Sequence, residues 1–365
     1  MRLKKNALIG AVTLLLSLPA SAADLKIVSV DIDGGAATIY LTPEGQSLLV
    51  DSGSSPGPAN LSQSENDSLR IVAAAKKLGI TRFNHVLTTH YHSDHVAGLP
   101  ALLEKMPADN FIDHGPNREV ASDPRANPDM VGGTEKAYAA YIKAIQGHPR
   151  RIVKPGDVIK IGSLTLNIVT SDGAVIEKPI AGGGQPNPAC AGSTDNEEYV
   201  KWGIENPRSV GVLFTYGVTR ILSLGDLTWN VERALFCPLN KVGPVDVLIV
   251  TQHGITAFMG FTLSNAPFAV AAEDPIVAIM GNGAMKGGGA EIAGLFQKSP
   301  HLQGFWPNHQ TAMDPKDGPL IDYTANLLGG DDGHSTRADV SDTGVIKVTN
   351  ERNGVTKSYN ARGHK

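Results

Sequence analysis

Thr89-His90-Tyr91-His92-Ser93-Asp94-His95 puts four metal-capable side chains within six residues. It follows Phe83-Asn84-His85-Val86-Leu87-Thr88, which reads as a buried strand, and precedes Ala97-Gly98-Leu99-Pro100-Ala101-Leu102-Leu103, which reads as a turn into a helix. Side chains alternate along a strand with period two, so His90 and His92 share a side at the strand end. The turn beyond swings Asp94 and His95 round to the same point. Neutral imidazoles with a carboxylate suit zinc or a similar divalent ion. A solvated His-rich turn is the plainer alternative.

Outward from this stretch, the chain alternates between meanders and helix-separated strands. Lys26 to Val30, Ala37 to Leu41 and Ser47 to Val50 read as strands, the last ending at Asp51-Ser52-Gly53. Asp67 or Ser68 caps a helix to Leu78, and Thr134 caps another with Tyr138, Tyr141, Ile142 and Ile145 on one face. Phe111-Ile112-Asp113 ends at His114-Gly115, and Val158 to Ile161 with Leu164 to Val169 form a hairpin around Gly162-Ser163. Residues 177 to 207 form a long irregular excursion of the kind that is usually functional or mobile. Beyond it, Thr219 to Leu224 ends at Gly225-Asp226, Asp246 to Val250 at Gln252-His253-Gly254, and Ile276 to Met280 at Gly281-Asn282-Gly283. A hairpin signal around Asn353-Gly354 closes the chain. His90, Asp226 and His253 thus each follow an apolar strand, and loops at strand ends carry sites on a rigid scaffold. Two packed sheets with helices outside fit this order.

Composition bounds the function. The chain has 365 residues, 41% hydrophobic and 19% charged, and a net charge of −4. A broad basic surface for nucleic acid is therefore not indicated. Arg2, Lys4 and Lys5 precede an apolar run from Ala7 to Leu18 and the small-residue site Ala20-Ser21-Ala22, a signal-peptide pattern over residues 1–22. The run is short for a membrane span, although an uncleaved anchor is the alternative. Export to the periplasm or outside the cell is expected, with no transmembrane segment in the mature chain. Cys190 and Cys237 are then expected to pair as a disulfide, against two free buried thiols.

His-x-His-x-Asp-His, then Gly-Asp after a strand, then His after a strand, resembles the metallo-β-lactamase superfamily. The resemblance runs from about residue 25 to 310 and implies an α/β fold, a four-layer αβ/βα sandwich with the metal site at one edge of the sheets. The chain is expected to divide into the signal segment, a hydrolase domain over residues 23–340 and a β-hairpin extension over residues 341–365. It implies His90 and His92 at a first metal position, Asp94, His95 and His253 at a second, and Asp226 bridging both. Asp51 matches an Asp-x-Gly aspartate that orients a ligand; a turn aspartate is the plainer reading. Asn206-Pro207-Arg208-Ser209-Val210, Leu224-Gly225-Asp226, Val245 to Leu248 and Ala278 to Gly283 look like the exported ComEC-like, competence-related branch.

Two departures stand out. Where the superfamily supplies a third histidine to the first position, this chain has Ser171-Asp172-Gly173, leaving the place to Asp172, to His114 or vacant. Gln252 stands where the branch often has another histidine. Lys286, in a glycine-rich run, and His309 are further candidates to meet substrate, against a plain turn and a structural histidine. His85, His148, His301, His334 and His364 show no ligand spacing.

The implied function is an exported metal-dependent hydrolase with one or two Zn2+ ions, or Mn2+, and Asp94 and Asp226 as catalytic carboxylates. A bound divalent ion lowers the pKa of its water to about 7. Phosphodiesters are the leading substrate class, with esters, lactones and β-lactams next. A degenerate metal-binding module without turnover is the alternative from another class.

Overall fold

Alternating residues of the early strands face two different cores, and this makes the layers. Leu48 and Tyr40 point to one buried cluster, while their neighbours Leu49 and Ile39 point to another. The computed structural model describes residues 24–54, 61–126, 128–195, 204–255, 257–258, 261–262, 264–312, 320–330 and 333–363. The signal-peptide segment and His364 lie outside the described residues.

The first sheet has nine strands. Its parallel part runs Ser47–Val50, Phe83–Leu87, Ala108–Asp113 and Arg150–Ile152. Its antiparallel part runs through Thr38–Leu41 and Leu25–Ser29 to Thr336–Val340, Val345–Asn350 and Thr356–Asn360. The closing hairpin therefore continues the same sheet as the first strand. The second sheet has eight strands. Within it Thr219–Ser223, Val247–Ile249, Val277–Met280 and Gly304–Pro307 are parallel, and Gly211–Tyr216, Leu164–Ser171 and Val158–Ile161 are antiparallel.

The sheets pack face to face over a core that includes Tyr40, Leu48, Phe214, Val247 and Trp306. Tyr40 and Phe214 stack across it with ring centroids 4.5 Å apart. Helices Leu61–Lys77, Leu99–Leu103 and Pro128–Ala144 cover the outside of the first sheet. Helices Trp229–Phe236, Pro267–Glu273 and Ala290–Phe296 cover the second. This is the expected four-layer αβ/βα sandwich. Each fully buried large apolar side chain contributes about 1.5–3 kcal/mol.

Local expectations differ at helix starts. Neither Asp67 nor Ser68 caps its helix, which already runs from Leu61, and Thr134 lies within Pro128–Ala144. Thr134 is buried and its hydroxyl donates to Glu119 at 2.9 Å, so a tertiary partner replaced the cap. The excursion after Val175 is pinned rather than loose. Gln185–Pro186 pairs with Leu239–Asn240, and Asn187 donates to the carbonyls of Phe236 and Phe268. Cys190 and Cys237 form a disulfide, with Cα atoms 5.8 Å apart. Among the described residues no helix is long and apolar enough to cross a membrane.

Two stability tests follow. Cys237→Ser opens a tether across 47 residues and lowers stability by about 2–4 kcal/mol in urea unfolding without reductant. Asp67 is buried with Oδ2 unpaired. Burial pushes its carboxyl up to about 7; Arg70 opposes the shift, and Asp31 and Asp33 add to it. A raised carboxyl is protonated in the fold and ionised when unfolded over roughly pH 4–7, so stability falls as pH rises through that window. Asp67→Asn therefore gains about 1–3 kcal/mol on the wild type between pH 5 and pH 8, measured by the same unfolding. An equal difference at both pH values would contradict this assignment.

Candidate metal centre

The parallel strands of the two sheets end at one edge, and the loops leaving them carry the predicted residues. Asp51, His90, Asp226 and His253 follow the strands ending at Val50, Leu87, Ser223 and Ile249. Several loop residues hold left-handed backbone: Asp51 (φ 60°), Gln252 (φ 47°) and His253 (φ 53°). For non-glycine residues this costs of order 1–3 kcal/mol each and persists only where surroundings enforce it.

Asp94, His95, Asp226 and His253 bring one ligand atom each to a common point, all within 4.8 Å of one another. His95 Nε2 lies 3.2 Å from Asp226 Oδ1 and 3.4 Å from Asp94 Oδ2. His253 Nε2 lies 3.2 Å from Asp94 Oδ2 and 3.6 Å from Asp226 Oδ1. The imidazoles of His90 and His95 are 4.1 Å apart, and those of His90 and His92 4.8 Å. A cavity of about 40 Å³ touches Asp51, His95, Asp226 and His253.

Hydrogen bonding on the far side of each ring fixes which nitrogen faces the site. Asp51 Oδ2 sits 2.8 Å from His95 Nδ1, and a carboxylate can only accept, so Nδ1 carries the hydrogen. His253 Nδ1 donates likewise to the carbonyl of Gly281 at 2.9 Å. The Thr89 hydroxyl spends its only hydrogen on Asp51 Oδ2 at 2.8 Å and therefore accepts from His90 Nδ1 at 3.1 Å. The Nε2 atoms of His90, His95 and His253 are left as buried acceptors without a hydrogen-bond partner. Buried polar atoms normally find partners, and metal-binding histidines carry their other N–H in this manner. The residues fit a divalent ion on these grounds.

Without an ion, the carboxylates hold a second proton on His95, which a metal ion at Nε2 would displace. Burial acts to raise Asp226, but His95 and His253 outweigh it and hold the carboxyl far below its usual range. Asp94 is likewise held low, against burial, by Lys286, His95 and His253. Burial acts to lower His95, and the carboxylates of Asp226, Asp94 and Asp51 reverse this and push it well up. Burial first, then His95 and His92, push His90 well down, so it stays neutral with its lone pair free.

At the first position the surroundings of His92, Asp172 and His114 bear on the open third ligand. His92 Nε2 is 2.9 Å from Glu119 Oε2, leaving Nδ1 for the site; burial lowers its proton affinity and Glu119 more than restores it. Asp172 does not replace the third histidine. Its Oδ1 is taken by Arg208 Nη1 at 2.7 Å and its Oδ2 by Arg118 Nη2 at 2.8 Å. His114 also stands apart from the four-donor group, with Nε2 at 3.1 Å from Glu205 Oε2 and its ring 4.5 Å from that of Tyr91. Each glutamate is fully buried and also accepts backbone N–H groups, Ile204 N at Glu119 and Arg118 N at Glu205.

Among the other candidates, Lys286 reaches the site and its Nζ pairs with Asp94 Oδ2. His309 does not: its Nε2 is 2.5 Å from Asp31 Oδ1, and Arg70 holds Asp31 Oδ2 at 2.9 Å. His148 packs edge-on against Phe111, and His301 pairs with Asp274. Sequence reasoning missed Thr89, Glu119, Glu205, Ser209 and Gly281. The Thr89 hydroxyl lies inside the quoted motif and was readable as a local partner; the glutamates sit in polar loops with no spacing signal.

Comparison with known proteins extends the picture. The chain matches no curated protein sequence. Among solved structures it is similar to the metallo-beta-lactamase fold protein YhfI from Bacillus subtilis, at 12% identity and TM-score 0.42, covering 78% of this chain and 96% of that one. It is also similar to CmlA, a diiron beta-hydroxylase from Streptomyces venezuelae, at 14% identity and TM-score 0.41, covering 78% of this chain and 53% of CmlA. A third is MEM-A1, a subclass B3 metallo-beta-lactamase from a soil metagenome library, at 18% identity and TM-score 0.27, covering 42% and 53%. The sequence profile described as Metallo-beta-lactamase superfamily matches residues 32–257, more than half of the chain, and the protein belongs to that superfamily.

Proposed function

We propose that the protein is an exported metal-dependent hydrolase, with phosphodiesters as its substrate class. The observation that carries the metal-dependent part is the convergence of His95 and His253, each ring fixed from behind, with Asp94 and Asp226, beside a third buried and unpartnered Nε2 on His90. His90, His92 and Asp226 would hold an ion at the first position, and Asp94, His95, His253 and Asp226 one at the second. A divalent ion there supplies Lewis acidity and hydroxide at neutral pH. Zn2+ suits this set of imidazoles and carboxylates, and Mn2+ is the runner-up.

The second position has its full donor set, so it fills first. With Asp172 spent on two arginines, the first position has two histidines and shares Asp226, which favours one tightly held ion per chain. The low proton affinity of Asp226 suits it to accepting a hydrogen bond from the attacking water, orienting that water rather than storing its proton. His95 is kept aligned by Asp51, and His253 by the Gly281 carbonyl.

The phosphodiester preference rests on Asn206 to Val210 and Ala278 to Gly283, which resemble the competence-related branch. Lys286 beside the donor group suits an anionic substrate. Export rests on the pattern of residues 1–22, and the disulfide is compatible with it. Esters, lactones and β-lactams remain the rival substrates on the same site.

Two experiments test this reading. Metal analysis of purified protein is expected to give about one zinc per chain; Asp94→Ala and His253→Ala lose it together with at least about a thousandfold of hydrolysis, while Asp172→Asn keeps it. Absence of any bound or activating divalent ion would leave a binding module instead. In a panel of bis-p-nitrophenyl phosphate, single-stranded DNA, a lactone and a β-lactam, with zinc and with manganese, turnover is expected on the phosphodiesters. Turnover confined to the lactone or β-lactam would overturn the substrate class.

A further inference from the structure

Lys286 is a cation in direct contact with a ligand that a metal ion needs. Asp94 Oδ2 is the atom it holds, and the same oxygen faces His95 and His253. An ammonium on that oxygen opposes a divalent ion at close range, because like charges repel.

The lysine is presented by an anchored turn. Gly283 N–H donates to the Lys286 carbonyl at 2.8 Å, Ala284 N–H to Asp33 Oδ1 at 3.0 Å, and the Ala284 carbonyl accepts from Ala312 at 2.7 Å. Gly287 follows at φ 72°, where any side chain would strike the carbonyl of His253. The turn is thus fastened against a ligand loop, and only the end of the side chain is free to move. Its stem lies over Gly34, where a Cβ would meet Lys286 Cβ at 3.1 Å and Cδ at 3.3 Å. The Lys286 side chain is 35% exposed, against 18% for Asp94, so the lysine is partly open to solvent while the carboxylate it holds is mostly covered.

We propose that Lys286 is a built-in counter-cation that yields Asp94 to the metal ion and then binds an anionic group of the substrate beside the scissile bond. This rests on the reading of the cluster as a metal centre. Each partner removes an obstacle to the other: the ion frees the ammonium, and the anion keeps the ammonium off Asp94. Metal and anion binding are therefore positively coupled, and the coupling is reciprocal. Substrates with a negative charge next to the reacting bond are favoured over neutral ones of the same shape.

The test is a Co2+ titration of the full chain, followed by visible absorption, for wild type, Lys286→Met and Lys286→Arg. Each is run with and without dimethyl phosphate as the anion. Methionine keeps the stem over Gly34 and removes only the charge, so a purely packing role predicts no change. Without anion, Lys286→Met is expected to bind Co2+ about tenfold more tightly than wild type, and Lys286→Arg to stay near wild type. The anion is expected to tighten Co2+ several-fold in wild type and less than about twofold in Lys286→Met. Equal or weaker Co2+ binding by Lys286→Met, or equal tightening by the anion in both, overturns the coupling and leaves the metal centre standing. No Co2+ binding by any of the three overturns the metal-centre reading as well.

Discussion

One buried carboxylate orders the histidine cluster. Asp51 is 2% exposed and accepts three hydrogen bonds, from Thr89 N, Thr89 Oγ1 and His95 Nδ1, each at 2.8 Å. Through the threonine it sets the tautomer of His90, and directly it sets that of His95. Both choices send a lone pair forward. A buried acceptor stripped of one donor costs about 1–3 kcal/mol, so the network resists any rearrangement that would turn a ring round. The left-handed backbone of Asp51 is the strain this arrangement sustains.

The second sheet contributes by the same logic with different atoms. Gly281, just past Val277–Met280, aims its carbonyl at His253. Ser209 Oγ accepts from Asp226 N at 3.1 Å and lies 3.5 Å from His90 Nδ1, tying the two halves. Such a concentration of buried carboxylates and imidazoles is costly unless charges are compensated. Glu119 and Glu205 extend it outward, each matched to a histidine. Polar networks of this density are expected where a site must be held in one geometry.

What the sequence disclosed follows from how local the signal is. The His90–His95 stretch, Asp226 and His253 were readable because each follows an apolar strand, and period-two alternation needs no distant information. The layered architecture came from strand order for the same reason. Helix starts were misread at Asp67 and Thr134 because both polar residues are buried inside their helices, Thr134 with a tertiary partner in Glu119. Asp172 looked like a spare donor because its turn follows the right strand; Arg118 and Arg208, far apart in sequence, had already claimed it. Glu119 and Glu205 carried no periodicity at all. Long-range pairing of charges is the information that a linear pattern does not hold.

The strand Leu25–Ser29 lies between Thr38–Leu41 and Thr336–Val340, bonded to both. Lys26 meets Asp339 across 313 residues of chain. Such a closure is entropically slow compared with hairpins. During synthesis the first sheet stays open on one flank until almost the last strands emerge. Nascent chains therefore carry an unpaired strand edge, a template for pairing with other chains, until that partner strand is made.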